Sequence, residues 1–172
     1  MNGHCFRCGQ ELPSAPPVAC RACGYEHYLN ARPTASLLVT DGNGRVLLLR
    51  RSRPPSFGLW ETPGGFCDAW EEPAAAAVRE GREELGVDVI LGPFVGMFVG
   101  TYEFQDELLP VLDCFWWAAL PEDAQIRLDP AESSESGWFD LDDPPALAFT
   151  TMTQAFEEAA LNRWCHKADG TE

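Results

Sequence analysis

The stretch GFCDAWEEPAAAAVREGREELGV, which runs from Gly65 to Val87, joins a glycine-containing loop to a strongly marked helix. Pro73 suits a first helical turn, the alanine run after it favours helix, and Gly86 favours a stop. The helix carries three carboxylates on one face, those of Glu80, Glu83 and Glu84. Like charges at this spacing repel and cost helix stability, so the face is either solvated or suited to binding cations.

The other side of this helix is apolar. Ala74, Val78 and Leu85 share a face at about 100° per residue, and we expect that face to lie opposite the carboxylates. Gly81 falls on the same apolar side, where glycine costs roughly 1 kcal/mol relative to alanine. We therefore predict that the helix approaches a sheet closely at Gly81.

Strand-like segments dominate the rest of the chain. The sequence DGNG at residues 41–44 predicts a hairpin turn, and the proline- and glycine-punctuated residues 52–66 are predicted as a loop. The predicted elements are strands at residues 35–40, 46–50, 87–104, 108–120 and 135–141, and an amphipathic helix at residues 151–164. Strands with two helices indicate an α/β or α+β class with a mixed sheet.

The first 30 residues form a predicted zinc module. The four cysteines concerned lie in two C-x-x-C pairs separated by eleven residues, and they are Cys5, Cys8, Cys20 and Cys23. Structural Zn²⁺ takes four such ligands, and so short a segment needs a metal to fold. Two disulfides or a redox C-x-x-C are the alternatives, and His4 and His27 are conceivable substitute ligands. Three further cysteines receive no role: Cys67, Cys114 and Cys165.

Composition limits the classes of function. The formal net charge is −15 and the chain has no Lys/Arg-rich arm, so we expect no nucleic-acid partner. The N-terminal sequence MNGHCFRCGQ has no apolar leader, and no apolar run reaches the roughly 18 residues of a membrane span. Seven cysteines, four of them paired for metal, fit a reducing compartment. The expected location is therefore cytoplasmic.

The 65–87 stretch resembles the Nudix box, G-x5-E-x7-R-E-U-x-E-E-x-G-U, in which U is a bulky aliphatic residue. The matching positions are Gly65, Glu71, Arg79, Glu80, Glu83, Glu84, Gly86 and Val87. Gly81 departs from the pattern at one U position, on the packing side of the helix. The resemblance covers roughly residues 33–165 and implies a mixed β-sheet sandwiched between helices. We expect a zinc ribbon at residues 1–30 and a Nudix hydrolase domain at residues 31–168.

The resemblance also implies roles for single residues. Glu80, Glu83 and Glu84 resemble the family's Mg²⁺- or Mn²⁺-binding glutamates, which suits the preference of these ions for carboxylate oxygen. Glu84 is expected to be catalytic, and Glu83 is either a ligand or an activator of water. Glu71 and Arg79 resemble a salt-bridged pair that ties the loop to the helix. Gly64 and Gly65 would let the loop backbone pass close to metal and phosphates, and their expected role, like that of the salt-bridged pair, is orientation of loop and helix.

Further candidates lie outside the box. The family often takes one more carboxylate from a later loop, and the segment DPAESSESGWFD offers Glu132, the preferred catalytic candidate, and Glu135. Arg50, Arg51 and Tyr102 are candidate substrate contacts. Five aromatic residues are candidates for stacking a base, with core packing as the plainer interpretation: Phe57, Trp60, Phe66, Trp70 and Tyr102.

The substrate class rests on the resemblance alone. The zinc module followed by YLNARPTAS resembles the zinc-ribbon branch of the family, which includes NADH pyrophosphatases, although the SQPWPF motif of that branch is absent. We expect metal-dependent hydrolysis of a small-molecule dinucleotide or nucleotide-sugar pyrophosphate of the ADP-ribose, FAD or NADH type. The alternatives are a nucleoside triphosphate pyrophosphohydrolase and a non-catalytic nucleotide sensor. A homodimer is left open.

Overall fold

A computed structural model of the chain describes residues 3–164. The chain separates into two compact units, one ending at Ala31 and the other beginning at Arg32. The domain bounds expected from the sequence stay a prediction, because residue 168 lies outside the described residues. Cys165 lies outside them as well. No helix among the described residues is long and apolar enough to cross a membrane.

The first unit contains one small sheet. Strands β1 (Val18–Ala19) and β2 (Glu26–His27) pair in antiparallel fashion. Its buried hydrophobic cluster consists of Cys5, Leu12 and Cys20, with Val18 and Tyr25 packed against it. So small an apolar core contributes little to folding, which is the situation in which metal ligation or disulfides usually stabilise a segment.

The second unit is built on a mixed sheet of seven strands and two helices. The elements in chain order are β3 (Arg32–Thr40), β4 (Arg45–Arg51), β5 (Trp60–Glu61), β6 (Gly64–Phe66), α1 (Pro73–Leu85), β7 (Ile90–Phe104), β8 (Glu107–Ala119), β9 (Ser133–Asp140) and α2 (Thr150–Leu161). The main strand order is β5-β4-β3-β8-β7, with β6 paired to β3 and β9 paired to β4. The pairing of β3 with β8 is parallel and the other pairings are antiparallel.

The two faces of this sheet are covered by different helices. Residues of α1 pack with Leu37 and Leu47 in one buried cluster. Residues of α2 pack with Leu38 and Phe115 in another. Successive residues of a strand point to opposite faces, so the neighbours Leu37 and Leu38 serve different helices. The predicted fold class, a mixed sheet sandwiched between helices, is confirmed.

Helix α1 begins at Pro73 and ends before Gly86, which adopts the left-handed conformation at φ 68°. A Cβ atom at Gly81 would lie 3.1 Å from Leu37 Cδ1 and 3.1 Å from a Val89 methyl carbon. The close approach to the sheet predicted at Gly81 is therefore present.

The expectation that the carboxylates lie opposite the packing face of α1 is wrong. Glu80 and Glu84 are buried beside Gly81 and Leu85, whereas Val78 is only half-buried. The packing side of α1 ends at a cavity, so two acidic side chains enter the interior there. Glu83 faces outward, with its side chain 57% exposed.

Several element bounds also differ from the sequence-based expectation. The segment predicted as a loop contains two short strands, β5 and β6. Strand β5 pairs with β4, and strand β6 pairs with β3. Strand β7 starts at Ile90, although Val87 and Val89 are buried before it. Helix α2 ends at Leu161.

Candidate functional site

The first unit contains a sulfur cluster suited to zinc. The Sγ atoms of the four paired cysteines lie within 4.8 Å of one another. The Cys5–Cys23 and Cys8–Cys20 sulfur separations are 3.7 and 3.6 Å, far longer than a disulfide bond of about 2.05 Å. A tetrahedral site with Zn–S bonds of about 2.3 Å needs sulfurs roughly 3.8 Å apart. The cluster therefore fits Zn²⁺ by ligand type and by spacing, and its geometry is not that of disulfides.

Neither histidine belongs to this cluster. His4 lies in a β-bridge with Glu11. His27 is buried, and its ring packs edge-on against those of Phe6 and Tyr25 at 4.7 and 5.0 Å. Among the described residues, the cysteines alone provide the candidate ligands.

The second unit contains a cavity of about 510 Å³, within the usual range for small-ligand sites. It is bordered by α1, α2 and several strands of the sheet. Nine of the residues singled out from the sequence line it: Gly64, Gly65, Phe66, Glu80, Glu83, Glu84, Glu132, Arg51 and Tyr102. Most of the predicted site residues are therefore brought together at one place.

Buried carboxylates are concentrated at this cavity. Glu84 is 5% exposed, and its Oε2 atom accepts a hydrogen bond of 2.8 Å from the backbone N–H of Gly64. Burial raises the pKa of Glu84 well above its usual range, and the charges of Glu61, Glu80 and Glu132 act in the same direction. Burial likewise raises the pKa values of Glu80 and Glu61, against the opposing effect of neighbouring arginines.

These carboxylates fit a divalent cation by donor type and by charge. Hard oxygen donors suit Mg²⁺ or Mn²⁺, and a cation would relieve the repulsion that raises the pKa values. Within the part of the chain that the structure describes, only the four cysteines form a set of metal-ligating atoms all within 4.8 Å of one another. The carboxylates are gathered at the cavity but are not closed around one point.

Arg79 joins the loop before α1 to the carboxylates on it. Its guanidinium donates two hydrogen bonds of 3.0 Å to the carboxylate of Glu71 and one of 3.0 Å to the carbonyl of Phe66. Its Nη1 atom also donates to Glu80 at 2.8 Å and to Glu83 at 3.0 Å. Hydrogen bonding from Arg79 lowers the pKa of Glu71. The arrangement holds the loop and two of the three box glutamates in fixed positions.

The two loop glycines are required by close packing. Gly64 has a φ of 152°, and a Cβ there would overlap the carbonyl oxygen of Ala35 and lie 2.7 Å from the Cα of Ser36. A Cβ at Gly65 would lie 2.6 Å from Glu80 Oε1. Any side chain at either position would displace the sheet or the carboxylate.

The two later carboxylates have different positions. Glu132 lines the cavity and pairs with Arg53 at 2.7 Å. Glu135 lies on β9 and pairs with Arg50 at 3.0 Å, with both side chains about half exposed. Neither Arg50 nor Glu135 is among the cavity-lining residues. The expectation that Arg50 contacts substrate is therefore not supported, because its side chain is engaged on the outer surface.

Arg51 is a buried cation in the cavity wall. It is 5% exposed, forms an ion pair with Glu61 and donates to the carbonyl of Pro55 at 2.7 Å. Its guanidinium carbon lies 5.1 Å from the centre of the Phe149 ring. The Nη2 atom is buried and has no hydrogen-bond partner among residues 3–164. A buried, unpartnered guanidinium N–H is costly, and a bound anion would satisfy it.

Aromatic side chains form another part of the wall. Phe66 and Tyr102 contact edge to face at 5.3 Å, and Tyr102 lies 5.5 Å from Phe149. Of the other stacking candidates, Trp60 packs against Phe139, at 4.5 Å, and Phe57 and Trp70 are exposed. The sequence did not single out Phe149, which lies just before α2.

Sequence reasoning also missed Glu61 and Asp113. Asp113 is 6% exposed on β8 and accepts hydrogen bonds from Ser36 Oγ at 3.0 Å and Thr151 Oγ1 at 2.9 Å. Burial raises its pKa, against the effect of the surrounding hydroxyl groups. A single aspartate inside the apolar segment LLPVLDCFWWAAL was the signal available for this residue.

Comparison with known proteins identifies the family. A profile described as the NUDIX domain matches residues 30–160, most of the chain. The chain belongs to the Nudix family. Its four-cysteine first unit and its similarity to curated relatives agree with the zinc-ribbon branch that the sequence resembles.

Similar Nudix proteins include both curated sequences and solved structures. The NAD-capped RNA hydrolase NudC of Stutzerimonas stutzeri is 30% identical over 146 residues, which is 83% of this chain and 50% of that protein. The Nudix hydrolase structure from Nitrosomonas europaea has a TM-score of 0.72 at 22% identity, covering 93% of this chain and 91% of that one. A MutT Nudix hydrolase from Burkholderia pseudomallei has a TM-score of 0.62 at 27% identity, covering 75% and 98%. The chain spans about half the length of the curated NudC relatives it matches.

Proposed function

We propose that this Nudix protein hydrolyses the pyrophosphate bond of a nucleoside diphosphate derivative with the help of Mg²⁺ or Mn²⁺. The observation that carries the proposal is the group of buried carboxylates with raised pKa values at one cavity, facing a buried arginine with an unpartnered N–H. The carboxylates suit cations and the arginine suits a phosphate oxygen, which together match a metal-bound diphosphate.

The proposed roles follow from position and chemistry. Glu80 and Glu84, with Glu83 at the cavity mouth, would hold the divalent ion, which when bound neutralises the diphosphate and lowers the pKa of an attacking water. Glu132, partly exposed beside the buried group, is the proposed general base. Glu83 remains the second candidate for that role.

Three further residues complete the proposed site. Arg51 would donate to a phosphate oxygen through its unpartnered Nη2. Glu71 and Arg79 would act by positioning the loop and the box glutamates, because their hydrogen bonds hold these groups together.

The cysteine cluster of the first unit would hold a structural Zn²⁺ with no open coordination position.

The proposed substrate is a dinucleotide or nucleotide-sugar pyrophosphate of the ADP-ribose, FAD or NADH type. The cavity volume and the aromatic residues Phe66, Tyr102 and Phe149 support a nucleotide-sized ligand. Relatives at 30% identity are named NAD-capped RNA hydrolases, and an NAD cap contains such a pyrophosphate. The cytoplasmic location and the homodimer stay predictions.

An NAD-capped RNA is a second candidate substrate because of those relatives' names. The net charge of −15 argues against this substrate, because an acidic protein repels a long polyanion such as RNA unless its local electrostatic field is inverted. The expectation of no nucleic-acid partner therefore becomes a proposal to be tested beside the small molecules.

The test is a hydrolysis screen of the full chain. The protein is incubated with Mg²⁺ or Mn²⁺ and with ADP-ribose, FAD, NADH, nucleoside triphosphates or a short NAD-capped RNA, and the products are resolved by chromatography. We expect AMP from at least one small pyrophosphate. Pyrophosphate released from a triphosphate would instead support the triphosphate alternative. No turnover of any compound by folded protein would contradict hydrolysis and favour a nucleotide sensor.

A further inference from the structure

The carboxylate of Asp113 also lines the cavity, in addition to the box glutamates. Asp113 stands on β8, where its two carboxylate oxygens each accept one hydroxyl hydrogen bond, from Ser36 on β3 and from Thr151 on α2. Gly100 on β7 makes room for this arrangement, because a Cβ there would lie 2.6 Å from the Thr151 methyl carbon. Three strands and a helix therefore combine to hold one buried carboxylate at the cavity wall.

The carboxylate of Asp113 can accept further hydrogen bonds. An ionised carboxylate can accept about four hydrogen bonds. The hydroxyl groups of Ser36 and Thr151 supply one to each oxygen, and the nearby hydroxyl of Thr34 acts on the same carboxylate, which leaves at least one acceptor position free. No arginine or lysine pairs with Asp113 among the described residues. A buried acidic group that lines a ligand cavity with free acceptor positions is complementary to a ligand that offers N–H donors.

We propose that Asp113 reads the nucleobase of the substrate by accepting hydrogen bonds from an exocyclic amino group. The same cavity is lined by Tyr102, Phe66 and Phe149, whose rings offer surfaces on which a base can stack. Amino-bearing bases such as adenine or cytosine present donors to Asp113. Their oxo counterparts, hypoxanthine and uracil, present an acceptor at the corresponding position and would be repelled. The inference rests on the proposed function, since it assumes that the cavity takes a nucleotide.

The test compares matched pairs of nucleoside monophosphates by equilibrium binding calorimetry. AMP and IMP differ at the purine 6-position, and CMP and UMP differ at the pyrimidine 4-position, in each case by amino against oxo. We expect wild-type protein to bind the amino member at least tenfold more tightly in one pair or both, the discrimination of a well-placed hydrogen bond. Asp113→Asn, whose amide can donate to an oxo group, should reduce that ratio at least tenfold. Asp88→Asn, an exposed change outside the cavity, should leave the ratio unchanged.

Several results would overturn the inference. These are equal affinity within both pairs, no binding of any of the four compounds to folded wild-type protein, or a preference that persists in Asp113→Asn. Should Asp113→Asn fail to fold, purine riboside monophosphate decides the matter on wild-type protein. It lacks the 6-amino group, so binding as tight as that of a preferred AMP would refute the role of Asp113. No bond is cleaved in these measurements, so their failure is distinguishable from absent turnover in the hydrolysis screen.

Discussion

At the scale of single residues, the molecule concentrates largely buried acidic groups at one cavity. Glu80 and Glu84 are one helical turn apart and both buried, a placement that costs stability through repulsion and desolvation. Arg79 offsets part of this cost at Glu80, and the backbone N–H of Gly64 does so at Glu84. The remaining imbalance is what a bound cation would remove, which supports the proposed metal-binding role of these residues.

Asp113 gives a pH-dependent prediction at this scale. Burial raises its pKa, so the folded protein retains a proton that the unfolded chain releases at an ordinary aspartate pKa of about 3.9. Its contribution to stability is therefore greatest below pH 4 and is lost as the pH rises through the folded pKa, by at most about 1.4 kcal/mol per pH unit.

The measurement is urea unfolding of wild type and Asp113→Asn across pH 4 to pH 7. The difference in unfolding free energy, wild type minus variant, should decline as the pH rises. A difference that stays constant or increases over this range would contradict a raised pKa. Because the variant lacks only this titrating group, other carboxylates cancel from the comparison.

At the scale of elements, the central feature is the contact of β6 and α1 with β3. Gly64 lies against the backbone of β3, and Gly65 lies against the carboxylate of Glu80 on α1. Strand β6 therefore approaches β3 at Gly64 and α1 at Gly65, two positions where only a hydrogen atom fits. This closeness brings the Gly64 N–H within reach of Glu84.

The variant Gly64→Ala tests this contact. The added methyl group would overlap the backbone of β3, and the φ of 152° disfavours any side chain, so we expect a loss of about 2 kcal/mol or more in unfolding free energy. Gly58→Ala is the matched control. Its φ of 80° is also unfavourable, but no atom of the described residues lies within 4 Å of the added carbon, so the loss should be about 1 kcal/mol. Denaturant unfolding measures both, and equal losses would refute the steric argument.

Local signals predicted α1 but not the pairing around it. Pro73 and Gly86 marked the ends of the helix correctly, because capping chemistry is local in sequence. Strands β5 and β6 were missed, because their hydrogen-bond partners lie on β4 and β3. For the same reason the sequence could not show that Asp113 meets Ser36 and Thr151, 77 and 38 residues away. The box pattern indicated Gly65 and the three glutamates of the cavity, whereas the other lining residues come together only through the folding of the sheet, the loops and α2.

At the scale of the whole molecule, charge is unevenly distributed along the chain. Residues 1–31 contain two arginines and two glutamates, so the net charge of −15 belongs to the residues that follow. The first unit therefore lacks the acidity that characterises the second. Because its own apolar cluster is minimal, we expect this unit to depend on its cysteines for stability.

Zinc content is the corresponding prediction. We expect one Zn²⁺ per chain by elemental analysis, and its removal by a chelator should expose residues 1–31 to protease, because metal binding supplies the folding free energy of so small a unit. Cys8→Ser should reproduce the effect, whereas Cys67→Ser, outside the cluster, should retain the metal. Protein purified without zinc and yet resistant to protease in this region would contradict the prediction.

The proposed function requires the cavity to hydrolyse a pyrophosphate bond through the buried carboxylates of α1. The measurement that tests it most directly is the turnover number of wild type, Glu84→Gln and the surface control Glu157→Gln on the best substrate of the screen, in Mg²⁺. Glutamine keeps the shape of Glu84 and its acceptor for the Gly64 N–H but removes the charge. On this proposal, Glu84→Gln should stay folded and lose at least a hundredfold in kcat, as expected when a charge-stabilising group is removed, and Glu157→Gln should be unchanged. Wild-type kcat in folded Glu84→Gln would contradict it.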